Sequence, residues 1–210
     1  MDKYKEIFEC NKKWVEEKER GEKDFFLNSF DNHDPEFLYI GCSDSRVPAN
    51  AITGLDVGDL FVHRNIANIV SNTDLNILSV LQYSIEILEV KHIVVCGHYG
   101  CGGIKCAMEQ KSYGLLDNWL REIRDVYRHY AEELNEIENI EHRYNRLVEL
   151  NVIEQCMNII KTSYLQKSYI EKKYPIVHGW VYDMRTGKLI DMNIDFIELL
   201  HNVQKIYNLE

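Results

Sequence analysis

The sequence predicts an α/β protein, with a mostly parallel central β-sheet flanked by helices, a hairpin at one sheet edge and an N-terminal helical arm. Three observations carry this expectation. Runs of strand length alternate with longer helical patterns, the signature of strands joined by helical crossovers. Two of those runs are continuously apolar, as in parallel strands buried on both faces. A turn-separated pair of runs near the C-terminus reads as a hairpin.

Tyr4 to Arg20 places Ile7, Phe8, Trp14 and Val15 on one helical face, and Gly21 stops it. A short helix over residues 22–30 and a turn over 31–35 follow. Phe37-Leu38-Tyr39-Ile40-Gly41-Cys42 is a buried strand that opens into Ser43-Asp44-Ser45-Arg46. Residues 60–66 form a second strand. Asp74 opens a helix with Leu75, Leu78, Leu81, Ile85 and Leu88 at helical spacing. A third strand, residues 92–96, runs into Gly97-His98-Tyr99-Gly100-Cys101-Gly102-Gly103 and another helix. Residues 115–163 read as helical, with charged faces and no proline. Residues 176–182 and 188–191 flank the turn Asp183-Met184-Arg185-Thr186-Gly187, and a last helix begins near Asp195. With no repeat, low-complexity tract or linker, residues 1–210 are expected to form a single domain. Residues 1–34 are its helical arm, and residues 35–210 its α/β core and C-terminal helix.

Composition narrows the function. A chain of 210 residues with 45% hydrophobic residues and three prolines has the makings of a packed core. Its 24 basic and 34 acidic residues give a net charge of −10, a poor match for phosphate backbones or anionic lipid. Neither nucleic acid nor membrane is expected as a partner. No apolar run reaches the roughly 18 residues of a membrane span. MDKYKEIFEC lacks a secretory layout, so a cytoplasmic location is expected. In that setting Cys10, Cys42, Cys96, Cys101, Cys106 and Cys156 are free thiols or site residues rather than a disulfide framework.

Ligands of parallel sheets collect beyond the carboxyl ends of the strands. The first strand ends at Cys42, with Asp44 and Arg46 just beyond, and the third ends just before His98, with Cys101 three residues on. If those strands are neighbours, two sulfurs and one nitrogen converge, a donor set suited to zinc with one tetrahedral position left open. Gly97, Gly100, Gly102 and Gly103 would permit a tight turn around the ion. The start of the following helix would favour thiolate at Cys101. Cys96, Cys106, Cys10 and Cys156 need no role beyond packing. His63, His92 and His178 read as core or edge residues, and His33, His129, His142 and His201 as exposed.

GCSDSR together with GHYGCGG resembles the β-class carbonic anhydrases. The likeness runs from about Phe37 to Asp191 and includes DLFVHRNIAN, Leu81-Gln82-Tyr83, Glu149-Leu150-Asn151-Val152 and His178-Gly179-Trp180-Val181-Tyr182. The resemblance implies one zinc per subunit on Cys42, His98 and Cys101, with Asp44 and Arg46 as the catalytic dyad. The reaction it implies is reversible hydration of carbon dioxide to bicarbonate and a proton, by attack of zinc-bound hydroxide. Its substrates are carbon dioxide, bicarbonate and water, and related proteins form homodimers or homotetramers. Some members close the zinc with the aspartate when bicarbonate occupies a noncatalytic site. The matching residues here are Gly41, Arg64 and Tyr182, with Tyr39 where those members carry Trp.

Competing readings differ in class. A dehydrogenase would need GxGxxG after a strand, which GHYGCGG does not supply. A cysteine phosphatase or sulfurtransferase loop places five residues between Cys and Arg, and only three separate Cys42 from Arg46. Hydrolysis of carbonyl sulfide or carbon disulfide on the same architecture, and a noncatalytic zinc sensor, are the remaining alternatives. A sensor has no need of Asp44 and Arg46.

Overall fold

The computed structural model describes residues 2–31 and 33–206, so the expected turn over 31–35 includes Asn32, which lies outside the described residues. Met1–Asp34 and Pro35–Glu210 are two separately compact units.

In the first unit, α1 (Lys3–Gly21) begins where the Asp2 carboxylate accepts the Tyr4 N–H, and α2 spans Phe25–Asp31. Trp14 meets the edge of Phe26 at 5.2 Å between ring centres, and the Lys18 ammonium lies over Phe25. Trp14 thus joins the apolar face of α1 to α2, while Ile7 and Phe8 of the same face stay exposed.

The second unit is built on five strands: β1 (Phe37–Cys42), β2 (Leu60–Asn65), β3 (His92–His98), β4 (Ile176–Asp183) and β5 (Lys188–Asp191). They lie in the order β2-β1-β3-β4-β5, parallel except for the antiparallel β4–β5 hairpin. The apolar run of β1 is explained by its central place. Leu38 and Ile40 enter the large core on one face, and Tyr39 joins Ala49, Val94 and Cys96 on the other. From β1 the chain passes to β2 on one side and then crosses to β3 on the other. The carboxyl ends of β1 and β3 therefore form the switch point where open α/β sheets hold their ligands.

The large core is covered by α4 (Leu75–Gln82), α5 (Gly102–Met108), α6 (Leu116–His129), α7 (Ala131–Glu136), α8 (Ile140–Ile160), α9 (Ser163–Lys172) and α10 (Phe196–Gln204). On the opposite face a short helix, α3 (Ala49–Thr53), contributes Ala49 and Ile52. Polar side chains start the helices as expected of N-caps: Asp74 accepts from Asn76, Asn139 from Glu141 and His142, and Asp195 from Glu198. The hairpin turn is closed by Asp183, which accepts from the Arg185 N–H and the Thr186 hydroxyl, with Gly187 at φ 71°.

Details of several elements depart from the sequence reading, among them the second helix, which begins at Phe25. The third strand continues past Cys96 to His98, pairing with β4 up to Tyr182. The second strand stops at Asn65, and Ile66–Asn68 turn in a 3-10 conformation with Ala67 left-handed. The helix from Asp74 widens into a π turn over Tyr83–Ile87. The stretch over 115–163 is broken between α6 and α7 and again before Asn139, while α3 and α9 were not anticipated. No helix of the described residues is long and apolar enough to cross a membrane.

Candidate metal centre

Three elements deliver the site. Cys42 is the last residue of β1, His98 the last of β3, and Cys101 caps the start of α5. Among the described residues, these are the side chains whose ligand atoms meet, all within 4.8 Å of one another, and all three are buried. The two sulfurs are 3.9 Å apart. His98 Nδ1 lies 3.1 Å from the Tyr99 carbonyl, which can only accept, so the proton is on Nδ1 and Nε2 carries its lone pair inward. That Nε2 is buried with no hydrogen-bond partner. A buried imidazole nitrogen aimed at two sulfurs is the arrangement a zinc ligand needs, and the backbone acceptor behind it fixes the tautomer. The donor set therefore fits zinc, with three protein ligands as in catalytic rather than structural sites.

The two thiols titrate as a unit. Cys42 is drawn down to about 4, chiefly by the Cys101 thiol and then by His98 and the backbone N–H groups of Ala67 and Asp44. Cys101 is pushed up, first by its bond to Cys42 and then by burial, although the Gly103 and Ile104 N–H groups oppose this. A charge on either sulfur disfavours a second one 3.9 Å away, so the proton of one thiol depends on that of the other.

The glycines divide by reason. Gly100 needs its left-handed backbone (φ 74°), and Met184 lies 3.1 Å from where a Cβ would stand. Gly103 has no such need, but a Cβ there would meet Ile66 Cγ2 at 2.7 Å, so it allows α5 to approach the Ile66–Ala67 turn. Gly102 carries neither constraint.

Asp44 and Arg46 stand beside this cluster. Arg46 Nε donates to Oδ1 at 2.9 Å, Nη2 to Oδ2 at 2.6 Å, and the Arg46 backbone N–H to Oδ1 at 3.0 Å. These bonds hold the Asp44 carboxyl well below the usual carboxylate range. Arg64 reaches across from β2, Nε donating to the Cys42 carbonyl at 2.7 Å and Nη2 to the Asp44 carbonyl at 2.6 Å. The loop that carries Asp44 and Arg46 is thereby tied to the strand that ends in Cys42. A cleft of about 1020 Å³ opens here, with Arg46, Tyr99, Tyr144, Tyr182 and Met184 on its walls.

Of the residues expected at a second anion site, Tyr39, Gly41 and Arg64 occupy neighbouring positions on β1 and β2, since Gly41 pairs with Arg64. The Tyr39 ring lies where a Gly41 side chain would be, with Cε1 2.4 Å from that Cβ position. Tyr39 is almost wholly buried, and burial pushes its phenol up. Tyr182 is two strands away at the end of β4, facing the cleft.

The other thiols and imidazoles lie elsewhere. Cys96 and Cys156 are buried, burial raising Cys96 to about 12, and Cys106 is half-buried on α5. His63 meets the Asn65 amide, and His92 Nδ1 and His178 Nε2 are 3.0 Å apart across β3 and β4. His129, His142 and His201 are exposed. The lowering effect of the Ala67 and Gly103 backbone amides on the two thiols, and the carbonyl clamp of Arg64, were not anticipated. Backbone donors leave no mark on residue type, whereas Arg64 was visible in HRN but given a different task.

The carbonic anhydrase family profile matches residues 37–189. A carbonic anhydrase of Emericella nidulans is 56% identical over 203 residues, covering 97% of this chain and 89% of that one. The solved β-carbonic anhydrase CafA of Aspergillus fumigatus superimposes with a TM-score of 0.92 at 33% identity, over the full length of both chains. A tetrameric β-carbonic anhydrase of Sordaria macrospora gives 0.88 at 36% identity, covering 92% of this chain and 98% of that one. A profile spanning four of the five strands, a relative at this identity and a switch-point cluster of two cysteines and a histidine lead to one conclusion. The chain is a member of the β-class carbonic anhydrases, enzymes of carbon dioxide hydration.

Proposed function

We propose that Cys42, His98 and Cys101 hold one zinc ion per chain, and that Asp44 and Arg46 form the dyad for reversible hydration of carbon dioxide. The observation that supports this most directly is His98 Nε2, buried and unpaired among two sulfurs, with Asp44 Oδ2 only 3.9 Å away. Zinc, when bound, supplies an acidified water as nucleophile at usable pH.

The remaining work belongs to the chain. Asp44, kept ionised by Arg46, accepts a hydrogen bond from the nucleophile and so turns a lone pair toward the substrate carbon. Arg46 fixes both carboxylate oxygens, which keeps Asp44 an acceptor. Arg64 anchors the carbonyls on either side of Ser43, so the dyad and the first ligand move together. Tyr99 and Tyr182 line the cleft that opens beside Arg46, the proposed route for carbon dioxide and bicarbonate. Two thiolates donate more charge than neutral imidazoles, so activity is expected to rise toward alkaline pH.

Asp44 also has a second task in this proposal. Were a metal held by Cys42, His98 and Cys101, the Asp44 carboxylate, once released from Arg46, would be free to serve as a further ligand in place of the nucleophile, and bicarbonate held by Tyr39, Gly41, Arg64 and Tyr182 would favour that form. Arg64 touches the Asp44 carbonyl directly, which gives an anion on its guanidinium a short path to the dyad. Assembly into homodimers or homotetramers is proposed alongside, in line with the tetrameric Sordaria protein.

Stopped-flow hydration assays across pH, with bicarbonate titrated into the initial rate, test these parts together. The expected result is zinc-dependent turnover that increases with pH and is inhibited cooperatively by bicarbonate. A metal-replete protein without turnover would overturn the dyad assignment, and simple hyperbolic product inhibition would remove the second anion site.

A further inference from the structure

We infer that one face of α8 is the positioning spine of the metal centre, setting the backbone around each of its three ligands. The inference rests on the reading of Cys42, His98 and Cys101 as ligands. Tyr144, Val148, Asn151, Val152 and Gln155 recur at helical spacing and share one face of α8, with Glu149 at its margin.

Each ligand has a counterpart on this helix. The Tyr144 hydroxyl donates to the Cys101 carbonyl. Tyr99 Oη donates to Glu149 Oε1 at 2.7 Å, and the Tyr99 carbonyl is the acceptor that orients His98. Asn151 Nδ2 donates to the Ala67 carbonyl at 3.1 Å, and Ala67 lies in the turn that follows Asn65, the residue paired with Cys42 across β1 and β2.

The Ala67 arm is the most informative. Ala67 and Asn68 both have left-handed backbones, at φ 63° and 48°, a conformation that non-glycine residues adopt only when their surroundings hold it. What holds it is a chain of amides. Gln155 Nε2 donates to Asn151 Oδ1 at 3.1 Å, and Gln155 Oε1 accepts the Val70 N–H at 2.8 Å. Asn158 donates to the Val70 carbonyl at 3.0 Å, and the Trp119 indole N–H to the Ile66 carbonyl at 2.8 Å. Asn151 and Gln155 are each 1% exposed. Buried amides are costly unless bonded, and an apolar pair would pack against the sheet without that cost. Both are instead spent on one five-residue loop that leaves β2 at Asn65, directly opposite Cys42. Outer partners of this kind orient metal ligands and tune affinity.

The test separates positioning from packing. Holoenzyme is challenged with increasing concentrations of a chromophoric zinc chelator, for the parent, Asn151→Leu, Tyr144→Phe and a control, Gln166→Leu. Gln166 is an equally buried amide that donates to the Ile160 carbonyl at the end of α8. The two positioning variants are expected to release zinc about 10–100-fold more readily, and the control to lose thermal stability while keeping zinc affinity within about twofold. The thiolate charge-transfer band of the cobalt-substituted enzyme should shift in the first two and stay in place in the control. Parental affinity and an unshifted band in both positioning variants would overturn the inference, as would equal loosening in the control. If Asn151→Leu does not fold, Tyr144→Phe and Gln155→Glu decide by the same criteria. Gln155→Glu keeps the acceptor for Val70 and loses the donor to Asn151. A parent protein unable to retain zinc would instead overturn the ligand assignment beneath it.

Discussion

Asp44 Oδ2 lies 3.9 Å from His98 Nε2 while both of its oxygens are bonded to Arg46. The carboxylate is close to the ligand atom without being one of the convergent three. With the roles proposed above, in which Cys42, His98 and Cys101 hold the metal and Asp44 orients the nucleophile, Asp44→Asn is expected to keep its zinc yet lower kcat/KM by about 10²–10⁴-fold. Metal analysis beside stopped-flow hydration checks it. Loss of zinc in parallel with activity would mean that Asp44 is a structural ligand.

Arg64 gives a second prediction. Its two donors bridge the Cys42 and Asp44 carbonyls, a span that the fork of a guanidinium covers and a single ammonium does not. Arg64→Lys preserves the charge and should still lower kcat by about 10–100-fold through misplacement of the dyad. Steady-state hydration kinetics with metal content held constant read this directly. An unchanged kcat would leave charge alone as the contribution of Arg64.

Stability should hinge on Val152, which fills the space above two glycines in neighbouring strands. A Cβ on Gly97 would stand 2.7 Å from Val152 Cγ2, and one on Gly179 would stand 2.9 Å from Val152 Cγ1. Gly97→Ala is expected to cost about 1–3 kcal/mol through overpacking. The same change in a Val152→Ala background should cost clearly less, because the clashing methyl is gone. Denaturant unfolding of the four proteins gives the coupling, and strict additivity would contradict the packing account.

His178 makes stability depend on pH. Burial holds its imidazole below the ordinary value of 6.5, the nearby His92 adds to this, and Asp191 opposes it. The unfolded chain therefore binds more protons than the folded one just below that value, so stability falls as the pH drops through it. His178→Gln can still face His92 Nδ1 and has no charge to gain. Melting temperatures from about pH 7.5 to 5.5 should decline less steeply in the variant than in the parent. Equal slopes would show that another group carries the acid sensitivity.

What was legible in the sequence followed residue type. Two continuous apolar runs gave β1 and the body of β3, and the pairs Cys42-x-Asp44-x-Arg46 and His98-x-x-Cys101 placed chemistry at their ends. What escaped depended on partners distant in the chain. Gly97 reads as a strand breaker, yet its bare Cα is what lets Val152 seat against β3, so the strand continues to His98. Asn151 and Gln155 look like ordinary polar residues of a charged helix until the fold brings Ala67 and Val70 against them. The left-handed turn at Ala67 has no glycine to announce it, and its stabilisation comes from another element altogether. The helix start beside Cys101 was visible in the sequence, whereas the coupling of the two thiols depends on the 3.9 Å approach of Cys42, 59 residues away.

Zinc stoichiometry of the purified protein, measured for the parent and for Cys42→Ala by mass spectrometry of the metal, bears most directly on the account. Two sulfurs and the unpaired His98 nitrogen predict a value near one zinc per chain in the parent and near zero when the first sulfur is removed. A parent that takes up no zinc, or a Cys42→Ala protein that retains as much as the parent, would contradict it.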